Sequence, residues 1–313
     1  MYVIKHVPED FVVEEVSAIK PSEGSFAYFT LWKRYIATLD AMEKLAFALK
    51  LPSKEIACAG NKDKVAVTTQ VCSAHNVSKD RLEKLSFVDM KISFIGYGPE
   101  PVHLGDLEGN KFRIIVRNLD NLPKISSKFR NLFGEQRFST NNAEIGKLLV
   151  KRDFEKAALL IAKLHPGVKR IYAHLNQRDF IGALRCLPRK LLLLFVHAYQ
   201  SQLWNKAAML SNEEILPIVG FGSEVKDEVT KKILAEEKLS PRDFIIKELP
   251  EVSAEGSERN VWAEAKDLEV GELQKDEHFK GKSKVILEFF LPKGSYATEF
   301  IRQSFGGREG AGS

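Results

Sequence analysis

At 313 residues, 44% apolar and 28% charged, the chain has an ordinary globular composition and the length for one large domain or two medium ones. No stretch is long and apolar enough to span a membrane, and the opening Met-Tyr-Val-Ile-Lys-His lacks the apolar core of a secretory signal, so a cytoplasmic protein is expected. Cys58, Cys72 and Cys186 are too widely spaced for a disulfide framework or a zinc pattern, and the seven histidines show no pairing at ligand spacing, so no metal is expected.

In chain order, Phe11 to Val16 and the aromatic run Phe26 to Trp32 predict two strands. Thr38 offers an N-cap for a helix whose Met42, Leu45, Ala46 and Leu49 recur at helical spacing before Pro52. A short strand from Glu55 leads into the turn at Gly60, and alternation from Val65 to Cys72 predicts the strand that leaves it. Ser78 can cap a short helix, Val88 to Phe94 alternate as a strand, and Gly96, Gly98 and Pro99 break that pattern. From Gly109 to Arg117, Phe112, Ile114 and Val116 share one face and Lys111, Arg113, Ile115 and Arg117 the other. That strand could present its cations to a polyanion or be an edge strand with a wet face.

The texture changes at Asn141. Helices are predicted over Ala143 to Val150, from Asp153 to His165, around Asp179 to Leu187 and from Leu191 to about Leu210. A strand at Ile215 to Val219 and an acidic helix near Val225 to Glu237 follow, and Glu251 to Asn260 has the polarity of a linker. Val285 to Leu291 returns to strand character, a helix runs through Phe305, and the glycine-rich end is too flexible to assign. Residues 141–200 carry 11 Lys/Arg and 4 Asp/Glu, whereas residues 201–280 carry 11 and 18. A basic stretch of that kind attracts phosphate backbones, which makes nucleic acid the leading partner, although two solvated helical faces of opposite sign would give the same counts.

The turn Gly60-Asn-Lys-Asp63-Lys64 sets a carboxylate between two cations that favour its ionised form. Loops held by a rigid sheet often carry catalytic groups, but composition alone favours a surface hairpin turn here. The cluster Asn131 to Phe138 likewise fits a structural turn with Arg137 paired to Glu135.

Five collinear segments decide between such readings: Lys5 to Glu15 (K-x-x-P-E-D-F-x-V-x-E), Gly60 to Gln70 (G-x-K-D-K-x-A-x-T-x-Q), Gly109 to Phe112 (G-N-x-F), Phe133 to Phe138 (F-G-x-Q-R-F) and Pro292 to Thr298 (P-x-G-S-Y-A-T). Together they resemble the TruD family of tRNA pseudouridine synthases over most of the chain. The resemblance implies an α+β fold. Its catalytic domain, a mixed, mostly antiparallel sheet with helices, would span residues 1–140 and 261–313, and a mainly helical insertion domain residues 141–260. It implies isomerisation of a uridine to pseudouridine without a cofactor, acting as a monomer on tRNA or other structured RNA, most often at position thirteen of the D arm.

Asp63 matches the family's invariant aspartate. Lys5 matches a lysine placed near it, and Asn110 and Phe112 match residues that position the catalytic loop and stack on the target base. Tyr296 stands where many relatives have phenylalanine, so its hydroxyl could transfer a proton or its ring could only pack. Ser201 and Asn205 match a helix motif read as structural. A non-catalytic RNA-binding protein of the same fold, or a glycosidase acting on free nucleosides, are the competing classes. Retention of Asp63, Lys5, Asn110 and Phe112 argues against the first, and the basic segment against the second.

Overall fold

The computed structural model describes residues 1–306, so the glycine-rich end beyond Gly306 lies outside it. The strands and helices follow in chain order: β1 (Phe11–Val16), β2 (Phe26–Arg34), α1 (Thr38–Leu49), β3 (Ile56–Cys58), β4 (Val67–His75), α2 (Lys79–Glu83), β5 (Met90–Gly98), β6 (Gly109–Leu119) and β7 (Lys128–Arg130). Next come α3 (Asn142–Val150), α4 (Phe154–Leu164), α5 (Arg170–Asn176), α6 (Phe180–Arg185), α7 (Arg189–Leu210), β8 (Ile215–Ile218), α8 (Glu228–Glu237), β9 (Ser257–Asn260) and β10 (Trp262–Glu264). The chain ends with β11 (Lys266–Val270), β12 (Gln274–Lys275), β13 (Ser283–Pro292) and α9 (Ala297–Phe305). It divides into two compact units, one comprising Met1–Phe129 with the chain from Glu264 onward, the other Arg130–Ala263.

The first unit is built on a nine-stranded mixed sheet in the order β11-β13-β6-β1-β4-β2-β5, with β12 on β13 and β3 on β4. Only β1 and β4 run parallel; the other pairs are antiparallel. The alternating residues Ala27, Phe29 and Leu31 of β2 point to one face, where Ala41, Leu45, Ala46 and Leu49 of α1 cover them, all essentially buried. Each fully buried Leu or Phe there stabilises the fold by about 1.5–3 kcal/mol, enough to make this face rigid.

Several sequence expectations need correction in this unit. Cys58 and Cys72 are direct cross-strand partners in the β3–β4 register, 4.3 Å apart at Cα, and form a disulfide around the Asp63 turn; Cys186 is free. Spacing along the chain misleads here because antiparallel pairing erases a 14-residue separation. Strand β5 continues through Gly96 and Gly98, since close approach of Pro21 to Gly96 and of the Tyr28 ring to Gly98 leaves no room for side chains there. Strand β6 is no edge: β1 and β13 flank it. On its supposed cationic face Arg113 is paired to Glu288 at 3.2 Å and Arg117 is buried among carboxylates, leaving Lys111 exposed.

The second unit is mainly helical. Asp153, Asp179 and Asp227 cap α4, α6 and α8 by accepting hydrogen bonds from the N–H groups of Lys156, Gly182 and Thr230. The stretch read as a linker contains β9, which pairs with β8. Helix α5 was not expected, being only seven residues long and lacking a capping side chain. The Phe133 turn docks on α7: Asn205 accepts from the Phe133 N–H and donates to its carbonyl, both at 2.9 Å, while Arg137 donates to Ser201 and not to Glu135.

Much of this unit's charge asymmetry cancels internally. Lys147 pairs with Glu237, Arg152 with Asp243 and Glu248, and Arg185 with Glu251. Among the described residues, Lys163, Lys169, Arg170, Arg178 and Lys190 are exposed and make no ion pair.

Candidate active site

The Asp63 loop joins β3 to β4 on the face of the sheet that carries α1. Four side chains outside it hold it in place, three through its backbone and one through the Lys62 side chain. The Thr38 hydroxyl accepts from the Lys62 N–H at 2.9 Å, and Gln70 donates to the Gly60 carbonyl at 3.0 Å. The Lys33 ammonium donates to the carbonyls of Asp63 at 3.0 Å and Lys62 at 3.4 Å. Glu15 accepts from the Lys62 ammonium at 2.6 Å and, with its other oxygen, from the Val71 N–H at 3.0 Å. Four main-chain groups and one side chain of the loop are thus tied down, and an irregular loop becomes a defined one.

The flanking cations do not serve Asp63 as the sequence suggested. Lys62 turns to Glu15, and Lys64 lies over the Tyr35 ring, 5.8 Å from its centroid. The ion pair comes instead from Lys5, 58 residues away, whose ammonium donates to Asp63 Oδ2 at 2.8 Å. Lys5 also lies 4.3 Å from the centroid of the Phe11 ring, a cation–π contact that fixes the other side of the ammonium. Among the described residues Asp63 Oδ1 has no hydrogen-bond partner, and the side chain is 39% exposed. One carboxylate oxygen is therefore anchored and the other is open to a bound molecule.

Lys5 reaches this position through a strained backbone. Its φ of 57° is left-handed, a conformation that costs a side-chain-bearing residue on the order of 1–3 kcal/mol. The surrounding arm supplies the restraint: Val3 exchanges two backbone hydrogen bonds with Arg117, at 3.0 and 2.8 Å, and Asp10, which caps the turn after Pro8, binds the Arg117 guanidinium at 2.8–2.9 Å. Buried Asp276 at 3.0 Å and half-exposed Glu277 at 3.1 Å complete the cluster around Arg117.

Asn110 stands opposite Glu15 across the β1–β6 ladder, and Phe112 opposite Val13, so both point to the loop's face of the sheet. Asn110 Oδ1 is buried and, among the described residues, unpartnered. Phe112 is half-buried, stacked on Phe289 at 5.4 Å and edge-on to Phe11 at 6.0 Å. Tyr296 is half-buried at the N-cap of α9, where its carbonyl accepts from the N–H groups of Glu299 and Phe300. Among the described residues no group of three or more His, Cys, Asp or Glu is placed to hold a metal, and no helix is long and apolar enough to cross a membrane.

Sequence reasoning missed the clamp. Thr38, expected as an N-cap, makes no capping hydrogen bond in α1 and spends its hydroxyl on the loop. Glu15 and Gln70 lie in recognised motifs without assigned roles. The aromatic run predicts a strand ending at Trp32, one residue short of Lys33, whereas β2 continues to Arg34. The signal was there, since the buried alternation Ala27, Phe29, Leu31 runs on to Lys33, all 0% exposed.

Comparison with known proteins gives this geometry its context. The family model for tRNA pseudouridine synthase D (TruD) matches residues 2–171, 167–219 and 213–304. A Methanosarcina acetivorans protein named a probable tRNA pseudouridine synthase D is 31% identical, with 94% of this chain and 90% of that protein covered. The tRNA pseudouridine synthase D of Aquifex aeolicus is 28% identical, with 96% and 97% covered. A crystal structure from Methanosarcina mazei, provisionally named tRNA pseudouridine synthase D (TruD), superposes with a TM-score of 0.78 at 28% identity over 98% of this chain and 94% of that one. The first alignment spans 401 residues, more than the 313 of this chain, so the relative carries segments that this chain lacks. On the family match over nearly its whole length and on this fold, the chain belongs to the TruD family of tRNA pseudouridine synthases.

Proposed function

We propose that the protein isomerises a specific uridine of tRNA to pseudouridine, with Asp63 as the reacting carboxylate and position thirteen of the D arm as its target. The observation that carries this reading is the Lys5–Asp63 ion pair on a clamped loop, with Asp63 Oδ1 left open. The unit of Met1–Phe129 and the chain from Glu264 is the catalytic domain in this reading, and Arg130–Ala263 the family's insertion domain.

The isomerisation breaks the N-glycosidic bond, turns the uracil while it is held, and joins its C5 to C1′. An anionic carboxylate can attack C1′ or C6, or remove the 2′ hydrogen to give a glycal, and each route uses the same open oxygen. No step calls for a cofactor. A stacked base hides its glycosidic bond, so the uridine must be flipped out, and the exposed parts of Phe112 and Tyr296 are the aromatic surfaces assigned to hold it. Asn110 borders the same face and offers its unpartnered Oδ1 to the loop or the base. Exposed Lys163, Lys169, Arg170 and Arg178 are the phosphate-tracking cations of the insertion domain. A cytoplasmic location follows from a tRNA substrate.

Asp63→Asn tests the mechanism, because the amide keeps the shape and loses the charge. The variant is expected to bind tRNA as the parent does and to release no tritium from 5-³H-uridine tRNA. Turnover near the parent rate would refute it. Carbodiimide mapping of the product then tests the assignment to position thirteen.

A further inference from the structure

Lys33 is the buried cation that the roles above leave without a part in the reaction. Its ammonium is wholly buried and donates to three main-chain carbonyls: Ile36 at 2.7 Å, Asp63 at 3.0 Å and Lys62 at 3.4 Å. Among the described residues no carboxylate lies within ion-pair distance of it, since Asp63 is paired with Lys5 and Glu15 with Lys62. An ammonium has three N–H donors, and here all three are used. A neutral amine has two and turns a lone pair toward the third carbonyl. Two of the three carbonyls belong to the Asp63 loop, so loss of one proton acts directly on the backbone that carries the carboxylate.

We propose that Lys33 is a positioning residue for Asp63: its ammonium holds the loop in the working geometry, and its deprotonation releases the loop and sets the alkaline limit of activity. This rests on the reading of Asp63 as the reacting carboxylate. Burial pushes the Lys33 ammonium down to about 8, the Asp63 carboxylate opposes that shift and the Lys62 cation adds to it. The other elements against it present uncharged groups: Thr38 at the start of α1 and the Ile36 carbonyl before it, Thr68 and Gln70 of β4, and Met90, its ladder partner in β5. Thr68 is Lys33's cross-strand partner, and its hydroxyl is buried and, among the described residues, unpartnered.

The linkage has a distinctive sign. Because the folded value lies below the unfolded one, the unfolded chain holds a proton that the folded chain lacks between about pH 8 and 10. Stability from this group therefore rises with pH over the range in which activity falls. A merely structural lysine would not produce that opposition.

The test is single-turnover pseudouridine formation on tRNA by the full chain from about pH 6.5 to 9.5, with thermal midpoints over the same range. The parent rate is expected to fall tenfold per pH unit above about 8 without a matching fall in thermal midpoint. The uridine imide also ionises in alkali, so the deciding comparison is with Lys33→Arg, whose charge does not titrate, and Lys33→Met. Lys33→Arg should lose the limb near 8 and keep only the substrate's. Lys33→Met should bind tRNA, turn over about 100-fold more slowly at neutral pH, as a misplaced reacting group does, and show no limb near 8. If either variant fails to fold, ¹⁵N-lysine NMR of the parent protein must show one ammonium titrating at the midpoint of the rate profile. A flat profile in active enzyme, an unshifted limb in Lys33→Met, a thermal midpoint falling in step with rate, or no such lysine resonance overturns the proposal. A parent protein inactive on tRNA at every pH overturns the enzymatic reading itself.

Discussion

Two buried cations on one sheet, Arg117 of β6 and Lys33 of β2, meet opposite treatment. Arg117 is 2% exposed, and its guanidinium is met by Asp10, Asp276 and Glu277 at 2.8–3.1 Å. Burial works against its charge, but hydrogen bonds to Asp10 and Glu277 overcome that and raise it above the ordinary arginine value. Lys33 is 0% exposed and meets only carbonyl dipoles, and burial wins. A charge matched by carboxylates is fixed in its ionisation and acts as a staple. A charge held by dipoles alone is poised to change.

The staple matters to the site because it fixes the arm that presents Lys5. Replacing Arg117 by Met leaves the buried Asp10 and Asp276 carboxylates unpaired, and should cost about 3–5 kcal/mol of stability, read as a fall in urea midpoint with an unchanged slope. A loss under about 1 kcal/mol would erase the distinction between the two cations. The parent's acid limb sharpens the same point. Burial raises the Asp276 carboxyl, but the Asn118 and His278 N–H groups and Arg117 hold it below the ordinary range; Lys284, its own backbone N–H and Arg117 bring Glu277 to about 2. Both folded values are depressed, so their stabilisation is complete above about pH 5 and disappears as pH falls toward 2. In Arg117→Met, where the folded values rise toward the unfolded ones, that acid limb should shrink.

A smaller effect is expected in the other unit, where some cations pair with carboxylates at the surface and others, Lys169 and Arg170 among them, make no ion pair among the described residues. Lys169→Glu with Arg170→Glu should weaken tRNA binding and lower the log–log salt slope by about two, leaving the fold intact. An unchanged slope would shift the footprint to other exposed cations. It would not shift to Arg117, which is buried, nor readily to Arg113, which is paired.

The smallest effect is reserved for Tyr296→Phe. If the chemistry rests on Asp63 and its cations, losing one hydroxyl from an aromatic that only stacks should change the single-turnover rate by at most a few-fold. A hydroxyl that transfers a proton would make the loss about 10²–10⁴.

The motifs in the sequence carried the family and the placing of Lys5 beside Asp63, which the folded chain brings to 2.8 Å. Period-two and helical alternation also carried most elements of the sheet and the start of the helical texture near Asn142, where a buried face writes itself into the order of residues. Tertiary structure decided what alternation cannot encode. It made β6 central, brought Cys58 to Cys72, turned Lys62 away from Asp63 and toward Glu15, and matched the basic helices with the acidic stretch of their own unit. Each of these is a choice of partner between residues distant in the chain. A side chain's type says what it can bond to, and only the folded backbone says which of those groups it meets.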